Sequence, residues 1–268
     1  MMQQAQDFLD ESTALHGLIA PLSDAALREP TAFKGWTIED VITHLHVWNK
    51  AADLALQDGE AFRRWFGGAA SAMQSGSMRE FETAEMQGVA GQALVAEWAD
   101  FATEMSQRFG EADPSARVAW AGPSMSVRSS ISARLMETWA HGQEVYDLLG
   151  VERENGDRIR NIVVLGNNTF GWTYKVNGLP VPATVPHLVL TAPSGEVWTF
   201  NAESDDERIE GLAEEFCQVV TQTRNIADTN LSVTGPIATQ WMAIAQCFAG
   251  GRETPPAPGT RVRRETAS

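Results

Sequence analysis

Glu137 and His141, in the stretch ARLMETWAHGQEVYDLLG, are the residues whose types and spacing most directly indicate chemistry. Side chains four residues apart lie on one face of a helix, so a carboxylate and an imidazole would project together. Both groups bind divalent metal ions such as zinc. A third ligand must come from another segment, and His44 in GWTIEDVITHLHVWN is the candidate. Three protein ligands with an open fourth position are typical of a reactive zinc centre.

His44 is preferred to its neighbour His46 because the two side chains point about 200° apart on a helix. The apolar residues Val41, Leu45 and Trp48 place His44 inward, so His46 is expected at the surface or rim. The Glu137–His141 spacing is by itself also typical of a solvated ion pair. Apolar neighbours around that pair indicate burial instead, and a buried carboxylate requires a partner or a metal. A hydrogen-bonded polar cluster without metal stays open as an alternative, as do Fe, Ni and Mn in place of zinc.

Further candidates surround this motif. Glu144 lies one helical turn beyond His141 and could orient a ligand or act as a base, whereas the alternative is an acidic solvent face. Trp48 and Trp139 are candidates for the wall of a cofactor pocket near the metal, although tryptophans at this spacing are more often core residues.

The candidate ligands belong to two of four long helical patterns, which cover about 3–20, 38–58, 79–109 and 128–149. Thr37, with Asp40 three residues later, predicts the N-terminus of the second of these helices. Four such helices predict a four-helix bundle over residues 1–150. Residues 151–250 mix helical and strand patterns and predict a small α+β domain. The Pro-rich, charged segment 251–268 is expected to be a disordered tail.

The formal net charge of −15 limits the partners. It argues against nucleic acid and anionic membrane surfaces, both of which bind clustered Lys and Arg. No apolar run is long enough to cross a bilayer, and the N-terminal stretch lacks the apolar region of a signal peptide. Cys217 and Cys247 are expected to be buried thiols. We therefore expect a cytoplasmic protein that acts on a small molecule; the sequence leaves a homodimer open.

The stretches GWTIEDVITHLHVWN and SARLMETWAHGQEVYDLLG together resemble the N-terminal domain of the mycothiol-dependent maleylpyruvate isomerases, within the DinB-like metal-binding four-helix bundles. The resemblance covers residues 5–150. It implies that His44, Glu137 and His141 bind a divalent metal, usually zinc, with water completing the site. LSVTGPIATQWMAIAQCFAG is similar to the sterol-carrier-like α+β domain that follows in those isomerases. There a basic residue of the second domain holds the anionic substrate, and Arg224 is the candidate here.

The first functional hypothesis is therefore a metal-dependent, thiol-dependent isomerase or S-transferase that acts on a small anionic substrate. The thiol would be mycothiol or glutathione, activated as a thiolate by the metal. A second hypothesis is a hydrolase that uses metal-activated water, with Glu144 as the general base. A third is a non-catalytic protein that binds a metal and a small ligand.

Overall fold

The computed structural model describes residues 1–265, which form two compact units. The first unit comprises Met1–Val145, and the second begins at Tyr146. The sequence analysis places the boundary at residue 150, where a helix ends, whereas the units divide inside that helix. The expected combination of helices and a small sheet is present.

The first unit is built on long helices. Helix α1 and helix α3 both pack against α6, and Asn49 of α3 is hydrogen-bonded to Arg134 of α7. Apolar side chains on the facing surfaces, such as Phe8, Leu45 and Trp98, are fully or almost fully buried. The elements are α1 (Gln3–Ile19), α2 (Asp24–Leu27), α3 (Ile38–Gln57), α4 (Gly59–Ser75), α5 (Met78–Glu85), α6 (Gly91–Glu111), β1 (Arg117–Val118), β2 (Met125–Ser126) and α7 (Val127–Leu149).

Helix α3 begins where the sequence predicts. The Thr37 hydroxyl accepts a hydrogen bond from the Asp40 backbone N–H at 3.0 Å, and the Asp40 carboxylate accepts one from the Thr37 backbone N–H at 2.8 Å. This reciprocal capping box satisfies two N–H groups that have no partner within the helix. The predicted N-cap is confirmed, and it fixes the start of the helix that carries His44.

The middle of this unit departs from the four predicted helices. Residues 59–75, which lie outside those patterns, form the continuous helix α4, because its buried residues Phe62 and Ala69 pack in an apolar cluster. The helix expected over 79–109 is broken into α5 and α6. Gln87 and Gly88 adopt positive φ angles of 52° and 90°, which end α5 and redirect the chain. Because of this break, α5 is a separate helix that packs against α3 and α4.

The second unit contains a four-stranded sheet and short helices. The strand order is β4–β3–β5–β6, in which β3 and β5 are parallel and the two outer pairs are antiparallel. Phe170, Phe216 and Trp241 pack edge to face in its core. The elements are a 3₁₀ turn (Asp157–Ile159), α8 (Arg160–Asn168), α9 (Phe170–Val176), β3 (His187–Thr191), β4 (Val197–Phe200), β5 (Arg208–Leu212), α10 (Ala213–Val220), a 3₁₀ turn (Ile226–Asp228), β6 (Ser232–Thr234) and α11 (Pro236–Ile244).

The sequence analysis did not identify β5. The apolar pattern around it continues into α10, so a single helix fits the periodicity, but residues 208–212 pair with β3 and β6 instead. Gly211 in this strand has a φ of 148° and a backbone that Leu231 approaches closely, which a residue with a Cβ would obstruct. Tertiary pairing therefore decides the conformation of this segment.

Residues 251–265 contain no helix or strand, and hydrogen bonds attach them to the second unit. The Glu253 carbonyl accepts from Gln222, the Pro256 carbonyl accepts from Asn225, and the Arg264 N–H donates to the Asp147 carbonyl. This segment thus packs along the unit, where the sequence analysis expects a disordered tail. The rest of that expected tail, residues 266–268, lies outside the described residues. None of the described helices has the length and apolarity needed to cross a membrane.

Candidate metal centre

Three candidate ligands meet in the first unit. His44 comes from α3, Glu137 and His141 come from α7, and one donor atom of each lies within 4.8 Å of the other two. The Glu137 Oε2 atom is 3.4 Å from His141 Nε2 and 3.8 Å from His44 Nε2. Both imidazoles therefore present the same nitrogen to one carboxylate oxygen. Within residues 1–265, no second group of three His, Cys, Asp or Glu residues converges in this way.

Glu82, on α5, contacts the His44 nitrogen that faces away from Glu137 and His141. Its Oε1 atom lies 2.8 Å from His44 Nδ1 and also accepts a hydrogen bond from the Trp48 indole N–H at 2.8 Å. Because an ionised carboxylate only accepts, His44 Nδ1 donates its proton to Glu82, which leaves Nε2 as the nitrogen that faces Glu137 and His141. Such a carboxylate–imidazole pair is the usual support of a metal-binding histidine.

Aromatic rings from the turn before α3 enclose the two imidazoles. The Trp36 ring is stacked on His141, with centroids 5.6 Å apart and planes 3° apart, and it lies 5.3 Å from His44. Phe33 contacts His141 edge to face at 5.1 Å. The turn reaches this position through positive φ angles at Lys34 and Gly35, of 51° and 69°. These half-buried rings restrict rotation of the imidazoles and leave a largely apolar surface beside them.

The electrostatics of the cluster favour charge on His44 and Glu137. Burial alone would lower the pKa of His44, but hydrogen bonds to Glu137 and Glu82 outweigh it and raise that pKa to about 9. Burial would likewise raise the pKa of Glu137, yet hydrogen bonds from His141 and His44 hold it well below its usual value. Burial lowers the pKa of His141, and the nearby charge of His44 lowers it further. Without metal, a protonated His44 thus lies between two carboxylates.

The residues present fit a divalent metal ion. Two imidazole nitrogens and one carboxylate oxygen are donors that zinc accepts, and iron, nickel or manganese accept them as well. The Nδ1 atom of His44 already donates to the Glu82 carboxylate. Nε2 is therefore the nitrogen that remains for a metal. A metal would displace the His44 Nε2 proton that otherwise faces Glu137, while Nδ1 would keep its proton toward Glu82.

The expectation that His46 lies at the surface or rim is wrong. The His46 side chain is 0% exposed, its Nε2 atom lies 3.0 Å from Glu97 of α6, and its ring contacts Phe101 edge to face. The helical angle between His44 and His46 is as expected, but α6 covers the side of α3 that was assumed to face solvent. Burial alone therefore does not mark the ligand histidine.

The structure places the remaining sequence candidates of the first unit as follows. Trp48 donates a hydrogen bond to Glu82, its ring centroid lies 6.3 Å from that of His44, and the residue is 6% exposed. Trp139 is fully buried, so it presents no surface to a cofactor. Glu144 follows His141 by one turn of α7 and is also buried, at 2% exposure, which does not favour a base that exchanges protons with solvent water.

Arg224 belongs to the second unit. Its two terminal nitrogens lie 2.7 Å from the two carboxylate oxygens of Asp147, in a bidentate and largely buried ion pair. Such pairs are among the strongest charge-assisted interactions in proteins. A substrate anion would have to displace Asp147 before it could bind Arg224.

The sequence analysis missed Glu82, Phe33 and the enclosing role of Trp36. No spacing rule links Glu82 to His44, because their contact depends on how α5 packs against α3. The turn at Lys34-Gly35 did carry a signal, since glycine beside an aromatic residue before a helix cap indicates a tight reversal. Arg134, one turn before Glu137 on α7, was also overlooked, although its spacing puts it on the same helix face.

Comparisons with known proteins match the chain to one family model and to two curated relatives. The family model described as the mycothiol maleylpyruvate isomerase N-terminal domain matches residues 8–146. Two uncharacterised proteins, from two strains of Mycobacterium tuberculosis, are each 37% identical over 245 residues, which cover 91% of this chain and 94% of theirs. The matched region contains all three candidate ligands and Glu82.

Solved structures resemble the chain in fold. The crystal structure of the mycothiol-dependent maleylpyruvate isomerase aligns with a TM-score of 0.52 at 16% identity, over 81% of this chain and 87% of that one. A mutant of that enzyme aligns with a TM-score of 0.51 over the same shares. At this identity, the likeness concerns the fold alone.

Proposed function

Because the chain belongs to the family of the mycothiol maleylpyruvate isomerase N-terminal domain, we propose that it is a thiol-dependent isomerase or S-transferase. It binds one divalent metal, zinc in the first place, through His44, Glu137 and His141. Its substrate is a small anionic molecule with an electrophilic double bond, and its thiol is mycothiol or glutathione. The observation that carries the proposal is the convergence of these three side chains within 4.8 Å.

The fold assignment belongs to the same proposal. We assign the long helices α1, α3, α6 and α7 to a DinB-like four-helix bundle, and the second unit to a sterol-carrier-like domain. The mixed helical and sheet architecture and the likeness to the isomerase fold support this assignment.

The residues divide the work. When bound, the metal lowers the pKa of a thiol, so that a thiolate is available near neutral pH to add to and leave a double bond. Glu82 accepts a hydrogen bond from His44 Nδ1 and so holds the ring with Nε2 toward the centre. Glu137 supplies the negative charge between the two imidazoles. Trp36 and Phe33 hold His141 in orientation and keep water from one side of the centre.

The hydrolase hypothesis has less support at this site. Its general base, Glu144, is buried. The other carboxylate near the centre, Glu82, already accepts hydrogen bonds from His44 and Trp48. A closed coordination sphere with a fourth protein ligand would favour the non-catalytic hypothesis. Only three candidate donors converge among residues 1–265, which leaves a position for an exogenous ligand.

The test combines a metal assay with a thiol assay. Protein purified without a tag is loaded with zinc and incubated with maleylpyruvate and with mycothiol or glutathione, while NMR follows cis–trans conversion and thioether formation. We expect turnover that requires both thiol and metal and that Glu137→Gln abolishes. Glu104→Gln, at an exposed position of α6, is the matched control. Metal binding without any thiol-dependent reaction would contradict the enzyme assignment and favour the binding protein.

A further inference from the structure

Arg134 is a buried cation next to the candidate metal centre. It is 3% exposed, and its Nε atom donates to the side-chain oxygen Oδ1 of Asn49 at 2.9 Å. Its NH2 group is buried without a hydrogen-bond partner, and so is the Asn49 side-chain nitrogen. In the part of the chain that the structure describes, no carboxylate forms an ion pair with this guanidinium. Its charge is therefore not neutralised by a direct contact.

Arg134 lies on the same helix as two of the candidate metal ligands. Arg134 precedes Glu137 by three residues and His141 by seven on α7, so the three side chains occupy one helix face. Asn49 follows His44 on α3, and the Arg134–Asn49 pair forms the next layer between the same two helices. Electrostatic coupling to Glu137 and Glu82 agrees with this placement. Burial lowers the pKa of Arg134 to about 10, which still leaves it ionised at neutral pH.

Arg134 would change the net charge of the proposed metal centre. With a divalent ion bound and both imidazoles neutral, the carboxylates of Glu137 and Glu82 cancel the charge of the ion. Arg134 then leaves one positive charge in excess within a region of low water content. Buried charge interacts strongly across such a region, because water screens it poorly. A neutral ligand at the open position leaves this excess in place, whereas a monoanion removes it.

We propose that Arg134 is a specificity-determining residue that makes the open position of the metal centre select a monoanionic ligand, such as a thiolate, over a neutral one. This inference rests on the proposed metal centre. Arg134 does not contact the ligand; it acts through its charge. The same charge repels the metal ion, so Arg134 also weakens metal binding, which a purely structural residue would not do.

The experiment uses the full chain with cobalt as a spectroscopic substitute for zinc. Cobalt affinity is measured first, followed by titration with thiocyanate, a monoanion, and imidazole, a neutral ligand, with the visible spectrum as the readout. Arg134→Met removes the charge at similar length, Arg134→Lys keeps it, and Asn49→Asp adds a carboxylate that neutralises it in place. Arg108→Met, which breaks a pair with Asp53 elsewhere on the unit, is the matched control.

In Arg134→Met and Asn49→Asp, we expect the dissociation constant for thiocyanate to rise about tenfold while that for imidazole changes less than about twofold. Cobalt affinity should stay the same or increase. Arg134→Lys and Arg108→Met should behave as the wild type. If Arg134→Met does not fold, Asn49→Asp alone carries the test.

Two results would overturn the inference. One is an unchanged ratio of thiocyanate affinity to imidazole affinity, whether both affinities fall equally or neither changes. The other is weaker cobalt binding in the charge-removing variants. Failure of the proposed metal centre has a different signature, because the wild type itself would then bind no stoichiometric cobalt.

Discussion

His44 and His46 lie two residues apart on α3, and each has a carboxylate within 3.0 Å, yet their surroundings differ. His44 has a buried carboxylate on one nitrogen and faces Glu137 and His141 with the other. His46 has a half-exposed carboxylate on one nitrogen and none on the other, which is buried. Their pKa values shift in opposite directions: the pKa of His44 rises to about 9, and burial lowers that of His46.

This contrast separates a structural histidine from a candidate ligand. The His46 side chain is fully buried, the His44 side chain is 17% exposed, and both contact acid groups, so neither burial nor an acidic neighbour identifies the site. What distinguishes His44 is that its two nitrogens have different partners, one of which orients the ring while the other meets further donors.

Replacing the carboxylate on the open side of His44 should have the largest effect. Glu137→Gln removes the charge that lies between both imidazoles, so metal affinity should fall about a thousandfold, because a neutral amide is a poor ligand. Isothermal titration with zinc measures this. Glu97→Gln changes the carboxylate beside His46 in the same way and should leave zinc affinity within about twofold. Equal losses in the two variants would remove the distinction.

Replacing the carboxylate behind His44 should have an intermediate effect. Glu82→Gln can still contact His44 but no longer fixes its tautomer, so zinc affinity should fall about tenfold. Trp48→Phe removes the other hydrogen bond to Glu82 and should cost less, since Glu82 still holds His44. Competition with a chromophoric chelator resolves both changes. An unchanged affinity in Glu82→Gln would show that Glu82 does not support a ligand.

The metal-free protein should show opposite pH dependences for the two histidines. Because the folded pKa of His44 is raised, its contribution to stability is full below pH 6.5 and is lost as the pH rises through about 9. Because the folded pKa of His46 is lowered, its contribution is lost as the pH falls below 6.5.

Urea unfolding of the wild type, His44→Gln and His46→Gln in the presence of a chelator measures both contributions. The difference between wild type and His44→Gln should shrink from about pH 6 to about pH 9.5. The difference between wild type and His46→Gln should shrink as the pH falls below 6.5. Parallel profiles would contradict the contrast between the two environments.

The smallest effect should come from a change at the N-terminus of α3, the helix that carries both His44 and His46. Thr37→Ala removes the side-chain half of the capping box and should lower the free energy of unfolding by about 1 kcal/mol. Because α3 is otherwise intact, zinc affinity should change less than about twofold. Denaturation with and without zinc separates the two quantities. A large loss of zinc affinity would mean that the centre depends on the helix terminus as well as on its ligands.

Local patterns allowed much of this unit to be predicted. The spacing of Glu137 and His141, the Thr37–Asp40 cap and the start of α3 follow from helix geometry within one segment, and the structure brings His44 to that pair. The exposure of His46 could not be predicted, because periodicity gives the direction of a side chain but not what covers it.

Features that depend on packing between segments were not predictable in this way. Glu82 reaches His44 only because the chain breaks at Gln87-Gly88 and α5 packs against α3. Strand β5 forms because β3 and β6 are available to pair with it. In both cases a long-range contact decides the outcome, and no short window of sequence contains it.

The most direct test of the central claim is the metal content of the wild type, His44→Gln and His46→Gln, measured by mass spectrometry after zinc loading and removal of excess ion. The account predicts about one zinc ion per chain in the wild type and in His46→Gln, and none in His44→Gln. Circular dichroism establishes that all three are folded. No stoichiometric zinc in the wild type, or an equal loss in both variants, would contradict a metal centre built on His44.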